Sequence, residues 1–460
     1  MIGLGVIGEN LSLNITSKNL PISVYDKFHE KTRRFYEKVS SNLNITPTYD
    51  IEEFVKSLEK PRKILLLVPA GNPVDEVLTE LIRHLDKGDI VCDCGNSFYK
   101  DTEKRQEALQ RRGIIFMGVG VSSGREGAYR GLSIMVGGDK YGYLVMKEFW
   151  EEISAKVDGD ACAGYVGDRG SGHFVKMVHN GILYTILQSI AEAYDIMRNG
   201  MGMDVDEVKT TFEDWLRDRL ASYLLELTVE VLQKKDHELE IPLIELVSDV
   251  AEQKGTGRWT SQTALELGVP TPSIDVAVTY RTISTFREVR KTLSNNYLKT
   301  SNSKIVKIPR SFLPDLEKSF YLSMIISHAQ GLHLIKKASE IYGYSIDLKK
   351  LLKLWRGGSV IRSKIIYRLI EVLERSPGIE NILLDEEVYK EVLELERALR
   401  ILLSHLKSTD IPTPLLDSTL NYLISMRRER LPTNIIQLLR DRFGYHGFER
   451  IDKSGKFHLE

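Results

Sequence analysis

Residues 1–26 read MIGLGVIGENLSLNITSKNLPISVYD, and this stretch decides the fold. Gly3, Gly5 and Gly8 make the pattern GLGVIG directly ahead of a helix-like run, and Asp26 closes the next β-rich run 18 residues after the third glycine. Glycines there allow a tight turn, close approach of backbone to a pyrophosphate, and packing of helix on strand, while the acid meets a ribose hydroxyl. The spacing predicts a dinucleotide cradle with Gly3, Gly5, Gly8 and Asp26 as cofactor residues and a nicotinamide dinucleotide as ligand. A carboxylate at Asp26 accepts from a free 2′-hydroxyl and repels a 2′-phosphate, which favours NAD. Lys27, Lys31, Arg33 and Arg34 are the cations that would instead grip such a phosphate.

Only Met1 and Ile2 precede Gly3, where a strand ordinarily has about five or six residues. The expectation is a shortened central strand, read as the mark of a missing start, and tighter cofactor binding once apolar residues are restored ahead of Met1.

Outward from this motif, β-rich runs at Ile22–Asp26, Lys63–Pro69, Asp89–Asp93, Ile114–Gly118 and Ser133–Gly137 alternate with helix-periodic segments such as Asp50–Leu58 and Asp101–Arg112. That alternation predicts βαβ units and a mostly parallel sheet over residues 1–170, with KILLLV and DIVCDC apolar enough to be buried on both faces. Beyond Gly170 the period becomes helical, in His173–Met197, Asp206–Leu232, Pro242–Ala251, Thr260–Leu267, Ile274–Ser294 and Pro314–Ile341. It continues through Asp347–Leu354, Ser359–Leu373, Glu386–Leu406 and Pro412–Glu429. The fold class is thus α/β plus all-α: a Rossmann-like dinucleotide-binding domain (1–170), a helical domain (171–435) and a tail (436–460). Phe443–Glu460 is too polar and glycine-punctuated for a helix. AEAY before Trp215 and SEIYGY before Trp355 suggest an internal duplication.

The 460 residues are 42% apolar and 28% charged with a formal net charge of −1, so no basic field draws the chain to nucleic acid or membrane. No secretory signal and no apolar run of about 18 residues occurs. Cys92, Cys94 and Cys162 cannot frame a disulfide scaffold, and Cys92 and Cys94 have no second pair for zinc, so they read as strand residues in a reducing cytoplasm and no metal is expected.

In GHFVKMVHNGILYTILQSIAEAYD, Lys176, His179 and Asn180 stand at i, i+3 and i+4, with Leu183 and Tyr184 one turn further along an otherwise apolar helix. Polar groups on such a helix need buried partners, which points to a site. GNS (Gly95–Ser97) and VSSGREGA (Val121–Ala128) follow strands as ligand loops do, and QKGTGRWT (Gln253–Thr260) and RDRFGYH (Arg440–His446) suit an anion such as phosphate.

GLGVIGENL, VPAG, CDCGNSFYKDT, GVGVSSGREGA, GHFVKMVHNGI, AEQKGTGRWTSQTAL, SHAQG, WRGGSVIRS, RRERLPTNIIQLLRDRFGYHGFERID and GKFH follow one another in order. With them the chain resembles the long, decarboxylating 6-phosphogluconate dehydrogenases over nearly its whole length. The resemblance implies a helical domain built by duplication, a homodimer with exchanged C-terminal tails, and oxidative decarboxylation of 6-phosphogluconate in the pentose phosphate pathway. It implies Lys176 as the catalytic residue and Asn96, Ser122, Gly124, His179 and Asn180 as substrate contacts. Tyr184, Lys254, Arg281 and, from the partner subunit, Arg440 and His446 correspond to the phosphate grip. Gly3, Gly5, Gly8, Asp26, Lys27, Val68, Ala70 and Asn96 correspond to the cofactor site, with NADP as the family's cofactor.

Three positions depart from the family. Leu183 stands where the family's general-acid glutamate stands, Ser123 replaces a glycine, and Asp26-Lys27-Phe28 replaces Asn-Arg-Thr at the 2′-phosphate. The alternative these leave is a catalytically impaired relative that still binds phosphosugar acid and nucleotide.

Overall fold

The computed structural model describes residues 1–39, 44–124, 127–300 and 307–459; Arg125 and Glu126 of the VSSGREGA motif lie outside them. Strands Lys63–Leu66, Ile90–Asp93 and Ile115–Ser122 pair in parallel, Ser133–Gly138 runs antiparallel to the last, and Ala163–Gly167 pairs in parallel with Ser133–Gly138. On the other side Ile2 bridges both Leu66 and Tyr25 in parallel, and Ile22–Val24 pairs with Ile45–Pro47. The first strand is short yet bonded on both sides: Ile2 N–H donates to Leu65 O (2.8 Å), Gly3 N–H to Tyr25 O (2.9 Å), and the Met1 amino group to Ser23 O (2.7 Å).

Alternate side chains enter opposite faces of the sheet. Leu65, Ile90, Cys92, Met117 and Val119 pack on one face, and Ile64, Leu66, Val91 and Phe116 on the other. Both faces are dry, as the apolar runs predict.

Two long helices, Ser171–Asp195 and Leu313–Tyr342, form the centre of the helical domain. Each is followed by a shorter helix ending in tryptophan, Val205–Trp215 and Leu348–Trp355, and then by Tyr223–Leu232 and Lys364–Arg375. Ser222 and Ser363, which open the last pair, bridge each other antiparallel. Helices Pro272–Thr285 and Pro414–Met426 begin alike, each with proline in its first turn. The weak repeat in sequence is a repeat of elements.

Some expected helices differ. Asp206–Leu232 is two helices separated after Trp215, and Ile274–Ser294 breaks at Phe286 between Pro272–Thr285 and Arg287–Thr300. Of Pro242–Ala251 only the short turn Leu243–Glu245 is helical: Ile244 packs on the core, but Leu243, Leu246 and Val247 are exposed, so too little of its apolar surface is buried to sustain a longer helix. At the C-terminus, helix Thr433–Gly444 runs through residue 436, where a tail was expected to begin, and a hairpin of Phe448–Glu449 with Lys456–Phe457 follows.

Candidate active site

The strands from Ile2 to Ile115–Ser122 are parallel, so the glycine turn, the VPAG loop, the GNS loop and Ser122 share the carboxyl edge of the sheet, where open α/β sheets bind ligands. At the turn, Gly3 has φ +99° and a Cβ there would lie 2.4 Å from Leu67 O; a Cβ on Gly8 would lie 2.0 Å from Gly3 O. Gly5 faces open space, and no side chain caps the helix Val6–Ser17 that it begins. A bare helix start behind an unobstructed glycine fits a pyrophosphate. Val68 borders this turn, since a Cβ on Gly3 would touch Val68 Cγ1 at 3.3 Å, and Ala70, half-buried like Val68, follows two residues later.

Asp26 is buried, and its two oxygens accept from Leu4 N–H and Phe28 N–H, both at 2.9 Å. Its carboxylate is therefore engaged in shaping the turn. Lys27 and Phe28 are exposed beside it, with Lys31 Nζ 5.1 Å from the Phe28 ring centroid and 3.7 Å from Asp26.

Helix Ser171–Asp195 meets the sheet through glycines. A Cβ on Gly172 would lie 2.2 Å from Gly118 O, one on Gly137 2.1 Å from Gly172 N, and one on Gly120 2.6 Å from both Gly172 O and Lys176 Cβ. This contact sets Lys176 against the end of Ile115–Ser122. The lysine is 7% exposed, and burial pushes its pKa down to about 7.

His179, fully buried one turn on, accepts at Nε2 from Ser359 Oγ (2.8 Å) and Ser122 Oγ (3.3 Å), and donates from Nδ1 to Asn180 Oδ1 (3.1 Å). Burial, aided by the Lys176 charge, holds it well below the usual imidazole range, so it stays neutral. Asn180 Nδ2 donates to Thr256 Oγ1 (3.3 Å), and the Trp355 ring meets His179 edge-on at 5.3 Å. Gly124 abuts Tyr223, whose hydroxyl would lie 2.2 Å from a Cβ placed there.

The structure thus gathers Lys176, His179, Asn180, Ser122 and Gly124. Tyr184 is buried under the Arg281 guanidinium (4.5 Å), and Arg281 Nη1 donates to Glu252 O (2.9 Å), two residues before the exposed Lys254. Asn96 is exposed at the tip of its loop. Leu183 is half-buried and packs on the helical core. Arg440 and His446 stand apart: among the described residues, the hydrogen bonds and ion pairs of 429–459 stay within that segment.

Sequence reading gave no site role to the wall formed by Ser359 and Val360, whose N–H donates to Ser122 Oγ (3.3 Å), or to Tyr223 and Trp355, and it noted Thr256 only within the QKGTGRWT cluster. A signal was present in Gly357-Gly358. Gly358 has φ +70°, and a Cβ there would lie 2.4 Å from Leu132 C, so the glycines let this segment press onto the sheet domain.

A glycine turn open to a pyrophosphate and a dry, near-neutral lysine beside a shielded imidazole, all on one sheet edge, fit a nicotinamide-dependent dehydrogenase. The chain belongs to the 6-phosphogluconate dehydrogenase family. Residues 1–167 match the NAD binding domain of 6-phosphogluconate dehydrogenase, and residues 172–460 match its C-terminal domain. The chain is 43% identical to the NADP(+)-dependent, decarboxylating 6-phosphogluconate dehydrogenase of Bacillus subtilis, covering 100% of this chain and 98% of that one. It is 41% identical to the decarboxylating enzyme of Synechococcus elongatus at the same coverage. A solved 6-phosphogluconate dehydrogenase of Plasmodium falciparum, determined apo, with NADP+ and with 6-phosphogluconate, superposes with a TM-score of 0.95 at 36% identity, over 100% of this chain and 98% of that one. Among the described residues no helix is long and apolar enough to cross a membrane.

Proposed function

We propose that the protein converts 6-phospho-D-gluconate to D-ribulose 5-phosphate and CO2 with reduction of NADP, as a cytoplasmic enzyme of the pentose phosphate pathway. The observation that carries this reading is Lys176, an amine kept out of water and near neutrality at the sheet's carboxyl edge. A neutral amine takes the proton of the substrate's 3-hydroxyl; the ammonium so formed then holds the C3 oxygen as the C1 carboxylate leaves as CO2. Ser122, His179 and Asn180 orient the sugar acid, joined by Asn96 and the backbone at Gly124. When bound, the nicotinamide accepts the hydride from C3. Gly3, Gly5, Gly8, Val68 and Ala70 would hold that cofactor, since the turn leaves room for a pyrophosphate. With both Asp26 oxygens engaged by backbone, the exposed Lys27 and nearby Lys31 favour a 2′-phosphate, and hence NADP over NAD.

Tyr184, Lys254 and Arg281 grip the substrate's phosphate, completed by Arg440 and His446 of the partner subunit in a tail-exchanged homodimer. Two exposed apolar stripes support that assembly. Ile435, Ile436, Leu439 and Phe443 on one helix, and Val289 and Leu293 on another, are each more than half exposed.

Purified protein given 6-phosphogluconate with NADP or NAD, followed by coenzyme absorbance and released CO2, tests the reading. Turnover with NADP ahead of NAD is expected, and no signal with either would defeat it.

A further inference from the structure

His173 lies one turn before Lys176 on the same face of the helix, fully buried, and reaches out of the helical domain into the sheet domain. Its Nε2–H donates to the Asp93 carbonyl (3.0 Å), and Nδ1 accepts from the Thr102 hydroxyl (2.6 Å). Gly118 makes the room, because a Cβ there would lie 2.9 Å from His173 Nδ1 and 2.7 Å from Thr102 Cγ2. Burial lowers the pKa of this imidazole, which matches a neutral ring with one donor and one acceptor nitrogen.

Asp93 is fully buried too, and its carboxylate builds the loop that carries Asn96. It accepts from Gly95 N–H (3.0 Å) and Ser97 Oγ (2.6 Å). Arg105 Nη1 lies 3.8 Å away, without a hydrogen-bond partner among the described residues, while the other guanidinium nitrogens hold Asp75 (2.7 and 3.0 Å) and Gly71 O (3.1 Å) at the loop containing Val68 and Ala70. Strand, loop and helix on three sides of the reaction centre thus meet at one ring.

We propose that His173 is a positioning residue, a pin that clamps the first turns of Ser171–Asp195 onto Asp93 and Thr102 and thereby holds the Lys176 amine in its dry slot, in register with the Asn96 loop. Without the pin the helix start lifts from the glycine contact and water reaches the lysine. The charged and titratable groups around the pair are few: Asp93 and Arg105 act on His173, and Lys176 acts on His179, which also feels His328 of Leu313–Tyr342. Strand Ile115–Ser122 brings no titratable side chain.

The inference rests on Lys176 being the base, and its test keeps the two apart. The full-length protein is labelled with acetic anhydride across pH 6–11, and acetylation of Lys176 is quantified by mass spectrometry. The wild type is expected to label with a midpoint near 7. His173→Leu should shift the midpoint toward ordinary lysine and cut labelling at neutral pH by about tenfold or more. His173→Gln, whose amide can donate to Asp93 and accept from Thr102, should stay within about twofold of wild type. Thr102→Val, nearly isosteric and safe for folding, should shift the midpoint in the same direction by less. An unchanged midpoint in folded His173→Leu, or in Thr102→Val if the leucine variant does not fold, overturns the pin. In turnover, His173→Leu should lower kcat by about tenfold to a hundredfold with the KM for NADP within about twofold, as misplacement of the base without loss of cofactor contacts requires. A wild type that labels with a low midpoint but does not turn over would sink the dehydrogenase reading and leave the pin standing.

Discussion

With Lys176 as the proposed base, its burial sets the pH behaviour expected of the site. Its base form requires loss of a proton that burial already weakens to about pH 7, so kcat/KM should fall roughly tenfold per pH unit below 7 and level off above it. The stability consequence has the opposite lever arm. Below 7 the folded protein must keep a charged amine in a dry slot, whereas between 7 and the ordinary lysine value the native amine is neutral and only the unfolded chain holds the proton. Stability therefore rises with pH across that window. Lys176→Met should abolish turnover and raise Tm most below pH 7, with the gain shrinking toward about pH 10; an equal Tm change at pH 6 and pH 10 would contradict the buried-charge account. Two helical turns beyond Lys176, Leu183 has no proton to give. On the proposed reaction, the enediol left by loss of CO2 must then take its C1 proton from another donor, and general-acid help of this kind is worth roughly 10² to 10⁴ in rate. Leu183→Glu should raise kcat well above wild type; unchanged or lower turnover would show a site rebuilt around leucine. The polar stripe Lys176, His179, Asn180 was legible in sequence because polar residues on an apolar helix need partners, but those partners were not. Ser359 and Thr256 come from distant segments, and the glycines beside them mark close approach without saying which helix they meet.

At the scale of elements, what positions the lysine is a glycine-lined contact between one helix and two strands. Gly118, Gly120 and Gly137 face Gly172 at distances no Cβ can share. Gly120→Ala should be the most telling single change, since the new methyl would meet both Gly172 O and Lys176 Cβ at 2.6 Å and push the helix start away from the strand. A loss of about 1–3 kcal/mol in denaturant titrations, with kcat reduced more than KM for NADP, is expected; native stability and kcat together would refute the close-packing account. The βαβ alternation and the long buried helices were readable because their periods persist over many residues. Breaks inside helical periods were not, since a pattern continuing through Trp215 or Phe286 gives no sign of where the backbone turns. The Pro242–Ala251 segment had the apolar residues of a helix, yet among the described residues Leu243, Leu246 and Val247 stay exposed.

At the scale of the whole molecule, the helical domain covers Lys176 with its own helices, but among the described residues the C-terminal segment carrying Arg440 and His446 bonds only to itself. Asp441, buried, accepts from Gly447 N–H (2.7 Å), His458 Nδ1 (2.8 Å) and Leu459 N–H (2.6 Å), and Tyr445 stacks on His458 at 3.8 Å, so the hairpin folds back on the helix end as a preformed unit. Such a unit keeps Arg440 and His446 exposed on a rigid support while its helix presents an apolar stripe, which fits docking into a second copy more than packing on its own domain. If the phosphate grip is shared in this way, Lys176→Met and Arg440→Ala disable different halves of one site. Each homodimer alone should be nearly inactive, but after co-refolding or co-expression a mixed dimer pairs the intact lysine of one subunit with the intact arginine of the other and regains one wild-type site. Activity that rises on mixing, with the KM for 6-phosphogluconate of the wild type, is the expected result. Mixtures no more active than their parents, at dimer concentrations confirmed by sedimentation, would show that each chain completes its site without a partner's tail.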